Sequence, residues 1–520
     1  MSKKRMIIVT SVILSVVVIS LGIVKLYQTY ALGNYIDTAS SATFDVNITK
    51  DTSVRIPANG YSNVFYMVTN TSPGTVKYGV AYTTDSSVIV KAFSTSKDPA
   101  SGLIVENEKK YVKLRLENTS STVKNITLST VLGYENGGDL IPPSGVTLVT
   151  NTYNPPQPAK NIITNLYTNA EKETIQNNSI DYHIAPSVSL MNDRLGGTTE
   201  DLDGGNIRYY GASPNNYIYF NCETYPDTNC ELWRIIGVFD GKVKLIRNES
   251  IGIYSWDNKD TSTGAESPYG KNDWTTARLM KLLNPSDYYK VDSNDNNLGQ
   301  SLYYNSTSGK CYSGSVNATV DCDFTSTGIK NDITRNMIVE TTWNIGGWNS
   351  DSVYPNEIYG YERGTTVYTD RPTTWTGKIA LAYPSDYGYA ADFNQCVNKE
   401  LGSYKDSTCT SNNWMKAILG QVWLLTTSSD NQLRSWFVYS DGNVDYNTAT
   451  FNAAGAVPVL YLVSELEIVS GNGSSSNPYK LSGNSNNTNW STQVVNSKWF
   501  WNELLCNDVN KIIDYFCVKG

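Results

Sequence analysis

Few residues in this chain have the types needed for catalysis. Its only histidine is His183, in Asp181-Tyr182-His183-Ile184. A nucleophile that needs an imidazole base, or a zinc site that needs a histidine, must use it. No nucleophile motif accompanies it, so it reads as a solvated or hydrogen-bonded side chain. Carboxylates are more plentiful. Glu340, Glu362, Asp386 and Asp392 are available for the paired-acid chemistry of glycoside hydrolysis, but no spacing pins two of them to one place. No catalytic residue is assigned, and the chain reads as a binding protein, not an enzyme.

Two stretches are rich enough in oxygen ligands to suggest calcium, the one cofactor the sequence hints at. Asp292-Ser293-Asn294-Asp295-Asn296-Asn297 opens like a calcium loop, with Asp292 and Asn294 as ligands. Its sixth and twelfth positions are Asn297 and Tyr303, where an EF-hand needs Gly and Glu. Asp201 and Asp203, beside Glu200, form the second candidate in a Gly-rich loop. The plain alternative at both is a solvated acidic turn.

Sugar recognition uses flat aromatic faces and planar polar groups. Trp343, Trp348, Trp375, Trp423, Trp436 and Tyr439 supply faces, but Trp233, Trp423 and Trp436 lie in strand-like runs where aromatics are usually core. Trp348 and Tyr446 lie in polar loops and are the better exposed candidates, with Asn443 and Asp445 as polar partners. Lectin-type calcium motifs are not intact; Trp348-Asn349-Ser350-Asp351 is a near miss.

All eight cysteines fall into local pairs: Cys222/Cys230, Cys311/Cys322, Cys396/Cys409 and Cys506/Cys517, none with metal-knuckle or redox spacing. In an oxidising compartment they read as four loop-closing disulfides. The net charge of -8 and the absence of a basic run exclude nucleic acid as a partner. With only 17% charged residues and 37 tyrosines, the composition resembles that of an extracellular bacterial surface protein.

The amino terminus predicts the route outward. Ser2-Lys3-Lys4-Arg5 precedes a nineteen-residue apolar run from Met6 to Val24, which as a helix would cover roughly 28 Å of hydrocarbon. The basic flank places the N-terminal side in the cytoplasm. An uncleaved single-pass anchor, leaving the bulk of the chain extracellular, is favoured over a signal peptide cut near Tyr30-Ala31-Leu32-Gly33, which would make the protein secreted.

The positioning elements divide into five segments. Residues 1–34 are stub and anchor. Residues 35–150 alternate as strands, including Ala42–Ile48, Asn63–Asn70, Thr75–Thr84, Ser87–Phe93, Lys110–Asn118 and Val123–Tyr134, and predict an all-β immunoglobulin-like sandwich. Residues 151–177 hold a Pro-rich spacer and a short helix with Ile162, Ile163, Leu166, Tyr167 and Ala170 on one face. Residues 178–481 read as an α+β domain. Its predicted helices are one capped by Asp273 with Trp274, Ala277, Met280 and Leu283 inward, and one over Ile329–Glu340 burying Ile333, Met337 and Ile338. Asp441-Gly442 marks a hairpin, and Val457–Leu462 a buried strand. Residues 482–520 are a polar linker and a helical tail closed by Cys506 and Cys517.

Several long stretches, in order, carry a resemblance: Met191–Gly211, Cys230–Gly252, Thr374–Ala390, Gln421–Ser429, Val438–Val444, Val457–Leu462 and Gly471–Leu481. Together they resemble an uncharacterised family of surface proteins of gut Firmicutes and Mollicutes-type bacteria. The resemblance implies a C-terminal C-type-lectin-like, or formylglycine-generating-enzyme-like, domain with its ligand surface on a compact mixed scaffold. The family pattern Gly-Val-Arg-Pro-Val stands here as Gly455-Ala456-Val457-Pro458-Val459, so Val457 replaces the arginine that would anchor a buried carboxylate. The expectation is a membrane-anchored surface protein whose head binds a glycan or a host or neighbouring surface protein. A structural envelope or fibre subunit is the alternative, and a surface glycan-acting enzyme comes third.

Overall fold

The computed structural model describes residues 52–483, apart from 71–73, 95, 134–138, 196–204, 258–269, 290–297, 315–317 and 451–453. The apolar N-terminal run, the Ala42–Ile48 strand, the candidate calcium ligands Asp201, Asp203, Asp292 and Asn294, and the tail with Cys506 and Cys517 lie outside the described residues. Among the described residues no helix is long and apolar enough to cross a membrane. The chain divides into two compact units between Pro155 and Pro156.

Among the described residues the first unit holds nine strands: β1 (Thr52–Ile56), β2 (Gly60–Thr69), β3 (Val76–Thr83), β4 (Val88–Phe93), β5 (Ser101–Ile104), β6 (Lys109–Asn118), β7 (Lys124–Gly133), β8 (Val146–Leu148) and β9 (Asn151–Tyr153). One sheet runs β1-β7-β3-β5 with β8 also on β3, the other β2-β6-β4-β9. The alternation that predicts these strands is the alternation that fills the space between the sheets. Tyr78 and Val80 of β3, Val112, Leu114 and Leu116 of β6, and Ile126 and Leu128 of β7 share one buried cluster. Each such side chain contributes about 1.5–3 kcal/mol of burial. β9 pairs parallel with β4, Lys91 opposite Asn151, so the start of the expected spacer completes this sandwich.

The second unit is mostly strand, with short helices. A twelve-stranded sheet contains β10 (Gln157–Pro158), β11 (Glu173–Asn177), β12 (Ile180–Ala185), β13 (Leu190–Asn192), β14 (Ile207–Tyr209), β15 (Tyr217–Phe220), β16 (Glu231–Phe239), β17 (Lys242–Arg247), β22 (Ile379–Ala380), β26 (Val459–Tyr461), β27 (Glu467–Ser470) and β28 (Tyr479–Leu481). Two hairpin-like pairs are separate: β18 (Ser308–Gly314) with β19 (Ala318–Asp323), and β20 (Thr341–Asn344) with β21 (Thr374–Gly377). A last sheet joins β23 (Val422–Thr427), β24 (Arg434–Val438) and β25 (Val444–Thr448). β16 is buried along most of its length, which explains its continuous apolar run Leu-Trp-Arg-Ile-Ile-Gly-Val-Phe. At Gly237 a Cβ would stand 2.1 Å from the Ile207 carbonyl, so only glycine lets β14 lie this close where the β16–β17 register shifts.

Helix α1 (Ala159–Asn169) buries Ala159, Ile163 and Tyr167. The rest of the expected spacer is thus built in: β10 pairs with β27, and Ala159 N donates to Leu466 O. Helix α2 (Arg278–Leu283) begins later than predicted, because Asp273 caps only a turn, accepting from Thr275 N. Trp274, Ala277, Met280 and Leu283 are nonetheless all buried. α3 (Leu302–Asn305) is a single turn, and α4 (Asp332–Met337) is capped by Asn331, which accepts from Thr334 N. The shorter α4 corrects one predicted core residue: Met337 and Ile338 are buried, but Ile333 is 43% exposed. α5 (Pro355–Glu362), α6 (Pro384–Tyr389) and α7 (Ser407–Ser411) complete the set. Cys222–Cys230, Cys311–Cys322 and Cys396–Cys409 are disulfides, as expected from their spacing.

Candidate functional site

The hairpin predicted at Asp441-Gly442 forms and carries the candidate face. Tyr439 N donates to Asn443 O, and Gly442 N donates to Tyr439 O with Gly442 at φ +95°. Three residues therefore turn the chain, with glycine in the left-handed position such a loop requires. The Asp441 side chain accepts from Asn443 N, Lys416 Nζ donates to Ser440 O, and Tyr387 OH donates to Gly442 O. The turn is thus bonded within itself and tied to the body of the unit at two points, by Lys416 and Tyr387.

From this base β24 sends Trp436 inward, fully buried, and β25 sets Tyr446 opposite it. Their rings meet edge to face at 6.3 Å. Trp436 Nε1 donates to the Trp348 carbonyl, so the two loop aromatics singled out in the sequence both adjoin one buried tryptophan. The exposed Arg434 guanidinium lies 5.0 Å from the centre of the Tyr446 ring. Asp445 is half-buried. Burial, with the nearby Asp351 carboxylate, raises its pKa against the opposing effects of its bond from Tyr446 N and of Arg434.

Trp348 is less open than its polar surroundings imply. It is half-buried and stacks flat on Tyr361, ring centres 3.6 Å apart and planes 8° from parallel. One face of its indole is therefore occupied. Glycines make the stack possible. Gly346 N donates to Glu362 O, Gly347 N to Thr366 O and Trp348 N to Thr427 O. A Cβ on Gly346 would meet the Tyr361 carbonyl at 2.2 Å, and one on Gly347 would meet Thr427 O at 2.6 Å. Tyr361, Arg434 and Asp351 are the neighbours sequence reasoning missed, and only the Gly346-Gly347 pair before Trp348 hinted at so close an approach.

The same unit holds a largely buried ionic cluster. Asp386 accepts from Arg208 Nη1 at 3.0 Å and from Lys244 Nζ, while Arg208 Nε donates to Asp193. Asp193 also accepts from Asn206 and from Leu195 N. Glu362 accepts from Ser385 N at 2.9 Å, Ser385 Oγ at 2.6 Å and Arg363 Nη1 at 3.1 Å. Burial raises Glu362 to about 7 and lowers Lys244 to about 8. Burial alone would raise Asp386 too, but Lys244 and Arg208 hold it below the usual carboxylate range. Of the four acids considered for glycoside chemistry, Glu362 and Asp386 come together. Both are buried and engaged, so they do not form an open catalytic pair. Asp392 caps a turn at Asn394 N, and Glu340 accepts from Tyr288 OH.

His183 sits on β12, opposite Thr174, with Nδ1 3.4 Å from Thr174 Oγ1. Val457 is buried among apolar side chains. The buried carboxylates of Asp193, Asp386 and Glu362 each have a cation partner, so none of the three needs an arginine at position 457. Among the described residues no group of three His, Cys, Asp or Glu side chains is arranged to hold a metal ion.

Comparison with family models, curated proteins and solved structures returns no match.

Proposed function

We propose that the protein is exported and held at the membrane by the apolar run from Met6 to Val24, and that its second unit is a non-catalytic head binding a glycan or a protein on a host or neighbouring cell. In this reading the first unit is immunoglobulin-like and the second C-type-lectin-like, as in the surface-protein family whose motifs the chain resembles. The observation that carries the proposal is the rigid, half-exposed face on β25. Tyr446 and Asp445 lie there, with Arg434 of β24 beside the Tyr446 ring, on a hairpin whose turn is tied down by Lys416 and Tyr387, next to the Trp348–Tyr361 stack. Aromatic and arginine side chains on fixed backbone are what binding surfaces concentrate, because little conformational freedom is lost on contact. The three disulfides of the head suit an oxidising exterior.

The test is a glycan and glycoprotein array probed with the full-length chain in detergent, with and without calcium. Specific binding weakened by Tyr446→Ala supports the head as an adhesin. A blank array, with concentration-dependent oligomers on sizing, favours the structural-subunit reading. One observation gives that second reading substance: β2 is a ten-residue strand with one side unpaired among the described residues, and Tyr61 on it is 42% exposed.

A further inference from the structure

β25 ends its sheet, and among the described residues no strand pairs with its outer side. The register fixes which backbone groups face outward. Tyr439 N donates to Asn443 O and Ala449 N to Leu433 O, so Asn443, Asp445, Asn447 and Ala449 direct their backbone groups at β24. Val444, Tyr446 and Thr448 direct theirs away from it. A row of outward N–H groups is a template for adding a strand, and the outward-facing Val444, Tyr446 and Thr448 are all residue types favoured in strands. Here the two donors at the far end of this edge from the turn, those of Tyr446 and Thr448, are taken. Tyr446 N donates to Asp445 Oδ1 at 2.7 Å, and Thr448 N donates to Asn447 Oδ1 at 2.8 Å. In each case the capping oxygen belongs to the residue just before, and Asp and Asn are the side chains short enough to fold back this way.

We propose that Asp445 and Asn447 are edge locks that stop β25 from adding a strand of a second copy of this chain. The lock stands whether or not the head binds a ligand, because it rests only on the register and the two capping bonds. It also gives Asp445 a backbone-capping role beside the ligand contact expected from sequence. Recognition at this face then runs through side chains, not through strand addition.

The test compares the full-length wild type with D445A/N447A in detergent, by sedimentation velocity and residue-resolved hydrogen exchange. The double variant is expected to form a species of twice the monomer mass that the wild type lacks. At low concentration its Tyr446 and Thr448 amides should exchange at least about tenfold faster. D445N/N447D keeps an acceptor oxygen at both positions and should behave as the wild type. A double variant that sediments and exchanges like the wild type overturns the proposal, as does association of D445N/N447D. Should D445A/N447A fail to fold, Asn447→Ala alone carries the exchange test at Thr448, and unchanged exchange there overturns the lock.

Discussion

Burial raises the Glu362 carboxyl to about 7, against 4.5 for an ordinary glutamate, even with Arg363 and Ser385 bonded to it. A carboxyl raised in this way binds its proton more readily folded than unfolded. Its stabilising contribution is therefore complete below about 4.5 and is lost as pH rises through about 7, a change of up to about 3 kcal/mol. Urea midpoints of the full-length chain, read by tryptophan fluorescence, test this. Relative to Glu362→Gln, the wild type should gain stability as pH falls from 8 towards 4.5, and parallel pH profiles would refute the assignment. Fluorescence reports mainly the second unit, which holds nine of the chain's 12 tryptophans. In the same assay Asp386→Ala should cost about 3–5 kcal/mol, since it strands Lys244 as an unpaired buried cation and leaves Arg208 with Asp193 alone. Nothing in the strand-like run Lys-Val-Lys-Leu-Ile-Arg of β17 announces that Lys244 is buried. A lysine on a predicted strand reads as solvent-facing until its partner, 142 positions away, is known.

At the scale of elements, legibility followed locality. The sandwich strands β2, β3, β4, β6 and β7 could be read from alternation, and the β24–β25 turn from Asp441-Gly442, because the residues that decide them are neighbours in sequence. The cysteine pairs were legible for the same reason. The order of the twelve-stranded sheet was not, because β15 lies beside β28 and β10 beside β27 through contacts that no local pattern encodes. Pro155, Pro156 and Pro158 suggested a free spacer, yet strand pairing claims both Asn151–Tyr153 and Gln157–Pro158. The same gap hid the partner of Trp348, since Tyr361 lies a helix away. Two predictions belong here. Gly346→Ala places a methyl 2.2 Å from the Tyr361 carbonyl and should separate the stacked rings, abolishing their part of the near-ultraviolet circular dichroism. Replacing Cys311 and Cys322 together by serine reopens an eleven-position loop across β18 and β19 and should cost about 3 kcal/mol, read as a lower urea midpoint.

For the molecule as a whole, the two units make different offers to a partner. The four-stranded sheet of the sandwich shows Tyr61 stacked on Arg115, with the guanidinium 3.6 Å from the ring centre and Tyr153 on its other side at 4.3 Å. The second unit shows Tyr446 with Arg434, on a strand edge where the Tyr446 and Thr448 amides are bonded to neighbouring side chains. Trp348 is the poorer probe of binding, because its removal also breaks the stack with Tyr361. Tyr446 contributes its ring to the surface without carrying the core. The deciding measurement is a titration of the strongest array ligand against full-length wild type, Tyr446→Ala and Tyr61→Ala. A binding head predicts that Tyr446→Ala raises Kd by at least about tenfold, roughly 1.4 kcal/mol, while Tyr61→Ala leaves it unchanged. Full affinity in Tyr446→Ala, or a loss confined to Tyr61→Ala, would contradict the account and move the site off this face.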